Sequence, residues 1–339
     1  MRQPPPEPPV AILAAARARA EARAARDWPR ADALRAEIEA GGWKVIDRGT
    51  GFALQPAVPP TVEEGGGVRY GAAAAVPSVL GEPPTARFTV ELVADEWPVD
   101  LGRVLAGLRS HAPAGTQVVV VANDPSPEQA ERLAPGALDR APIAGAAPEV
   151  LWTSDRLGHA AALNVGLRRA RGDVVVLADT SVEPVGDALG PLAEALADPA
   201  VAVAGAFGLV SADLRRFAEG PGPAVDAVEL YWLGFRRADY VALGPLDEKF
   251  AFYRHLDIWW SLVLRAGADD GAPPRGARRL DLPLVRHAHR GWTTLSDANR
   301  DRLARRNFYR VLDRFRARRD LLSGVPADGR PAGPDDHSA

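Results

Sequence analysis

Four short apolar runs, each of strand length and most followed by a helix-like segment, constrain this 339-residue chain most tightly. They are RFTVELVA (87–94), TQVVVVAND (116–124), EVLWT (149–153) and GDVVVLAD (172–179). Most of their residues are β-branched or aliphatic with little polar alternation, so both faces of each strand must be covered. Between them VDLGRVLAGLRSH (99–111), SPEQAERLA (126–134) and GHAAALNVGLRRARG (158–172) read as helices. This alternation predicts an α/β fold with a mostly parallel sheet and helices on both faces. A helix at PLAEALADP (191–199) and a strand at VAVAGAFGLV (201–210) extend it, with too few repeats for a (β/α)8 barrel.

The flanks read differently. Residues 1–9 are a Pro-rich tail. Residues 10–56 form a small module, in which AILAAARARAEARAAR and RADALRAEIEA make a helical hairpin broken at Asp27-Trp28-Pro29. Pro29 suits a first helical turn and Gly41-Gly42 a helix end. WKVID and GFALQ then read as a β-hairpin. Residues 57–86 have the Pro/Gly/Ala composition of a linker, the main domain is expected over 87–323, and 324–339 is a polar tail.

Cysteine is absent, which removes disulfides, thiolate nucleophiles and Cys-based zinc sites. The net charge of -3 gives no global field for nucleic acid. No Gly-x-Gly-x-x-Gly follows a strand, which argues against a dinucleotide oxidoreductase, and no Gly-x-Ser-x-Gly elbow exists for a nucleophilic hydrolase.

Ligands of open α/β sheets bind outside the carboxyl ends of the strands. The second strand here ends in Asn123-Asp124-Pro125, the third runs into Asp155-Arg156-Leu157-Gly158-His159, and the fourth ends in Asp179-Thr180-Ser181 before Glu183-Pro184. Polar groups delivered to one edge are what a nucleotide needs: a carboxylate for base or ribose hydroxyls, another for a metal on the diphosphate. Asn-Asp-Pro is also a good turn, and Asp179 also suits a plain strand end.

DRLGHAAALNVGLRRARGDVVVLADTSVEP (155–184) and FRRADYVALGPLDEKFAFYRHLDIWWSLVLRAGA (235–268), with RHAHRGW (286–292), resemble family-2 glycosyltransferases of the GT-A fold. The first stretch is similar to the family's small-residue helix reaching Asn164 and Gly166, its A-x-G-D, its apolar strand and its Asp-centred metal motif. The resemblance covers roughly residues 87–320 and implies a Rossmann-like GT-A domain. It implies an inverting transfer of a sugar from a nucleotide-diphospho-sugar to a saccharide, lipid-linked or other hydroxyl acceptor. Asp257 is then the general base and Asp179 the metal or diphosphate ligand. Asp124, Asp155, Arg156, Gly158 and Asn164 fall at donor-binding positions, Gly158 for close backbone approach to the donor and Asn164 as a brace. The cofactor implied is a divalent metal, Mg or Mn, although the family's second Asp is replaced by Ser181. Glu183, His287 or His289 is expected to complete the shell. The first strand also departs from the family, with Ala94-Asp95-Glu96-Trp97 where Pro-x-Tyr-Asn is usual. These departures leave a second reading open, a catalytically silent nucleotide-sugar-binding or scaffold protein.

Other features carry alternatives as well. Trp259, Trp260 and Trp292 are core or acceptor-platform residues. Residues 296–322 read as a basic amphipathic helix that packs on the domain or contacts an anionic membrane. No run of the chain suits a membrane span and MRQPPPEPPV lacks the apolar core of a secretory signal, so a cytoplasmic protein is expected, at most peripheral at the inner membrane face. The N-terminal module, with its Asp27-Trp28, Ala31-Asp32, Leu34-Arg35 and DRGTGFAL, resembles the C-terminal tail domain of cysteinyl-tRNA synthetases. Residues 11–48 carry eight Arg/Lys against six Asp/Glu, too balanced for a phosphate-tracking surface, so a nucleic-acid partner is not expected.

Overall fold

The computed structural model describes residues 7–49, 51–139, 141–268, 271–290 and 295–322. Its contacts divide the chain into two units, Met1–Ala72 and Ala73–Ala339. In the first unit, α1 (Val10–Ala24) and α2 (Trp28–Ala40) pack together, and the Asp27 carboxylate caps α2 by accepting the Arg30 N–H at 3.2 Å. Strands β1 (Trp43–Arg48) and β2 (Gly51–Pro56) pair antiparallel, and Ile12, Ala15, Ala16, Ile38 and Trp43 form a small core. Buried Arg19 of α1 donates to Asp47 of β1 at 2.7 and 3.2 Å, tying helix to hairpin.

Residues 57–86 are more structured than their composition implies. They carry an antiparallel hairpin of β3 (Val62–Glu64) and β4 (Gly67–Tyr70). Gly65 and Gly66 both take left-handed φ, 63° and 80°, the backbone of a two-residue hairpin turn. Val76 and Val79 beyond it are buried. Glycine at a turn and glycine in a linker look alike in composition, which is why the two were confused.

The second unit builds its sheet from β5 (Ala86–Ala94), α3 (Pro98–His111), β6 (Gln117–Ala122), α4 (Pro127–Leu133), β7 (Glu149–Thr153), α5 (His159–Leu167) and β8 (Gly172–Ala178). Then come β9 (Val182–Pro184), α6 (Gly190–Ala197), β10 (Val201–Gly205), β11 (Gly208–Val210), β12 (Ala218–Glu219), β13 (Ala224–Val225) and β14 (Ala227–Val228). The chain finishes with β15 (Trp232–Arg236), α7 (Arg237–Leu243), α8 (Leu256–Ala266), β16 (Gly276–Arg279), β17 (Leu284–Arg286) and α9 (Asp297–Phe315). The sheet of this unit runs β13-β16-β10-β15-β8-β5-β6-β7. Pairing is parallel from β8 through β5 and β6 to β7, and again between β10 and β16. β15 enters antiparallel between β8 and β10, which makes the sheet mixed at its centre.

The period-2 alternation of the strands sorts two cores onto the two faces. Val174, Val176 and Ala178 of β8 join Leu101, Val104 and Leu108 of α3 and Leu192 and Leu196 of α6. Val175 and Leu177 face α5, α8 and α9, where Leu163, Trp259, Trp260, Val311 and Phe315 are buried. Each such side chain contributes roughly 1.5–3 kcal/mol by leaving water. Trp259 and Trp260 are therefore core residues, and Trp292 lies outside the described residues. The stripe of α9 carrying Val311 and Phe315 is spent on this core, leaving Arg302, Arg305, Arg306 and Tyr309 exposed. Among the described residues no helix is long and apolar enough to cross a membrane.

One position breaks the apolar rule. Glu91 of β5 is fully buried against α5, and among the described residues neither carboxylate oxygen has a hydrogen-bond partner. A Cβ on Gly166 of α5 would sit 2.4 Å from that carboxyl, so glycine makes room for it. Burial pushes the Glu91 carboxyl well above its ordinary value. The folded state thus keeps a proton that the unfolded chain releases, and stability falls as pH rises above the unfolded carboxyl range. Glu91→Gln should remove that dependence. Its stability relative to the parent, from urea unfolding, is expected to improve by up to ~1.4 kcal/mol per unit between about pH 5 and 7. A parallel pH dependence of the two proteins would rule out a protonated Glu91.

Candidate active site

The carboxyl edge of β5, β6 and β8 gathers the candidate chemistry. Asp179 follows β8, and its Oδ1 accepts both the N–H (2.8 Å) and the hydroxyl of Ser181. The ribbon of β9 and β17 pairs Glu183 with Val285 and Val182 with Arg286, and delivers His287 and His289 just beyond. His289 Nε2 lies 3.4 Å from Asp179 Oδ2. His287 turns to Glu183 instead, Nε2 to Oε2 at 2.8 Å. The two histidines thus serve different carboxylates. Ser181 does not extend the ligand set but donates to the carboxylate already there. Burial alone would raise the Asp179 carboxyl, but His289 and the two Ser181 donors outweigh it and hold it below the usual range.

Across this edge runs an aromatic arc. Phe207 and Tyr231 stand 5.7 Å apart edge-on, Tyr231 and His289 5.7 Å, His289 and Tyr253 4.9 Å, and Tyr253 and His159 6.3 Å. His159 opens α5. Its ring is neutralised by burial, only partly opposed by Asp179 and Asp95, and its Nε2 has no partner among the described residues. None of Tyr231, Tyr253 and His159 was singled out from sequence, because an aromatic run gives no sign of which rings reach the strand ends.

The other candidates are placed less uniformly. Arg156 is ion-paired with Asp95 and lies 3.5 Å from Glu96, while Asp155 accepts the Arg156 N–H at 2.8 Å in its own turn. Asp124 takes left-handed φ, 50°, and its N–H donates to Thr153 Oγ1. At Gly158 the structure shows a constraint within the chain. A Cβ there would meet Ala251 Cα at 2.8 Å, so the close approach is to the chain's own backbone. Asn164 is buried and clamps the 244–248 loop: it donates to the Leu246 carbonyl and accepts from the Leu246 N–H and the Tyr240 hydroxyl.

Asp257 stands in the first turn of α8, after His255, which takes left-handed φ at 69°. Asn307 of α9 holds this entry by donating to the Phe252 and Arg254 carbonyls at 2.8 and 2.9 Å. Burial pushes the Asp257 carboxyl up to about 7, Glu229 adds to the rise, and N–H donors including Ile258 and Leu230 restrain it. Residues 229–231 connect the two acids. Leu230 donates to Asp257, while the Tyr231 carbonyl accepts the Asp179 N–H at 3.1 Å.

The sheet thus carries an Asp–His pair at the end of β8, and α8 carries a carboxyl raised toward neutrality. Within this domain, residues 96–248 match the model described as glycosyl transferase family 2. Its fold is similar to a crystal structure of GalNAc-T7 with UDP, GalNAc and Mn2+, with a TM-score of 0.52 and 14% identity. That match covers 68% of this chain and 48% of the other, so the chain spans about half the length of that structure. The mannosyltransferase PcManGT from Pyrobaculum calidifontis, solved with GDP-Man and Mn2+, gives a TM-score of 0.43 at 20% identity, over 61% of this chain and 57% of that one. A stretch of 51 residues is 47% identical to a cysteine–tRNA ligase of Opitutus terrae, covering 15% of this chain and 11% of the ligase.

The Asp179–His289 contact makes a direct prediction. A carboxyl lowered by folding gives stability above its unfolded range that is lost as pH falls. His289→Ala should therefore raise the Asp179 titration midpoint, followed by carboxyl-carbon NMR, and weaken that acid-side loss. An unmoved Asp179 midpoint would show that the histidine does not act on it.

Proposed function

We propose that the domain moves a sugar from a nucleoside-diphosphate sugar to a hydroxyl acceptor with inversion, using Asp257 as general base. The observation that carries this reading is Asp257 itself, half-buried, raised to about 7 and linked through residues 229–231 to Asp179 at the strand edge. A base of that value is half ionised near neutrality and strong enough to take a proton from an attacking hydroxyl. In one displacement the acceptor oxygen bonds to the anomeric carbon, its proton passes to Asp257, and the bond to the diphosphate breaks on the opposite face.

Asp179 and His289 sit on the diphosphate side of this scheme. Among the described residues no group of three or more His, Asp or Glu is arranged as a complete metal site. A carboxylate oxygen of Asp179 and an imidazole nitrogen of His289, 3.4 Å apart, are nevertheless donors of the kind that Mn2+ or Mg2+ takes together with phosphate and water oxygens. When bound, such an ion would neutralise charge on the leaving diphosphate. Ser181 keeps Asp179 ionised for that task, and Asp95, Asp124, Asp155 and Arg156 are proposed for the nucleoside. A structure of this fold holding UDP, GalNAc and Mn2+ supports the donor class. The incomplete metal set also favours a second reading, a silent nucleotide-sugar-binding protein.

Two measurements separate these. Titration calorimetry with UDP, GDP and dTDP should show one nucleotide binding only with manganese, and Asp179→Ala should abolish that dependence. Asp257→Asn should fold normally, bind the same nucleotide and lose on the order of 10²–10⁴-fold in kcat. Undiminished transfer by that variant would remove Asp257 as the base. Binding with no turnover in the parent, across acceptors, would establish the silent reading.

A further inference from the structure

The base does not stand beside an empty flank. Arg286, the last residue of β17, lays its guanidinium over the Tyr231 ring, Cζ to centroid 3.9 Å, and within 5.3 Å of the Phe207 ring. Its Nη1 lies 3.8 Å from Glu229 Oε2. Glu229 is anchored through its N–H to the Phe207 carbonyl at 2.8 Å, and the next residue, Leu230, donates its N–H to Asp257. One arginine therefore bridges the ring beside Asp179 and the carboxylate beside Asp257.

We propose that Arg286 and Glu229 form a charge pair that sets the basicity of Asp257, making Arg286 a positioning residue for proton removal from the acceptor. The physical argument is short-range electrostatics at a partly desolvated edge. A second carboxylate near a base disfavours its ionisation, and a guanidinium on that carboxylate cancels part of the effect. Aromatic stacking fixes the guanidinium, so the cancellation does not depend on a freely rotating side chain. Other charges around α8 are committed elsewhere. His255 at its start is held neutral, pushed down to about 4 by burial with Arg254 beside it, and its Nδ1 faces the Ala304 carbonyl. Arg310 and Arg314 of α9 lie over Phe250 and Trp259, Arg275 pairs with Asp239 of α7, and Arg265 with Asp226. Glu229 is thus the carboxylate that acts on Asp257, and Arg286, 3.8 Å from it, acts on the base only through Glu229.

The inference rests on Asp257 being the base, and the experiment keeps the two apart. The pH dependence of kcat is followed from about pH 5.5 to 9 in the parent and in Glu229→Gln, Arg286→Met, Arg286→Lys and the double variant Glu229→Gln with Arg286→Met. The acidic limb should fall by roughly half a unit to one unit in Glu229→Gln and rise by a similar amount in Arg286→Met. The double variant should follow Glu229→Gln, and Arg286→Lys should restore much of the parental limb. An acidic limb unmoved by both single changes, with Asp257→Asn inactive, would overturn the charge pair and leave the base in place. Transfer by Asp257→Asn would instead overturn the base. If Arg286→Met does not fold, Glu229→Gln decides alone, since a parental limb in that variant is already incompatible with the pair.

Discussion

The site depends on the antiparallel entry of β15 between β8 and β10. In that register Trp232 faces Ala178, so the segment just before the strand crosses the carboxyl edge where Asp179 emerges. The Asp179 N–H to Tyr231 carbonyl bond is the last rung of this ladder. Without it, residues 229–231 would have no fixed path from Asp179 to Asp257. A strand that elsewhere would only lengthen a sheet here carries the spacing between Asp179 and Asp257.

Much of the scaffold was legible in the sequence because its signals are local. Strands of valine and leucine, helices between them, the Pro29 helix start and the Asp179 strand end follow from period and local residue preference. What escaped is long-range. β15 was not among the expected strands, and its direction is set by its partners, since a five-residue apolar run reads alike in either orientation. His287 and His289 sit two apart and were grouped together, yet the ribbon ends at Arg286 and the two rings reach different carboxylates. Glu229 and Arg286 lie 57 positions apart in sequence, and nothing local marks them as neighbours. Gly158 was recognised as constrained, but the constraint comes from Ala251 across the fold.

The acids of this domain are treated in opposite ways: Glu91 is fully buried, and Asp179 and Asp257 are half-buried. Asp179 stays ionised because His289 and Ser181 supply hydrogen bonds to the charged form. Asp257 receives N–H donors but also a nearby carboxylate, and ends near neutrality. Glu91 receives nothing and is kept neutral. Desolvation is common to all three, and the donors around each decide the outcome. Glu91 and Asp257, raised by folding, cost stability that the two aliphatic layers offset, and Glu91 has no part in the proposed transfer.

The way Asp179 is mounted also says which changes the chain can absorb. β8 sends Val174, Val176 and Ala178 to one face and Val175 and Leu177 to the other, and its last residue abuts the acid. Adding or deleting one residue inside the strand would shift the acid by about 3.3 Å and exchange the two faces. Swapping one aliphatic side chain for another there leaves the acid where it is. Drift in this strand is therefore free in identity and closed in length, and loops such as 134–148 are where insertions can accumulate without moving the chemistry.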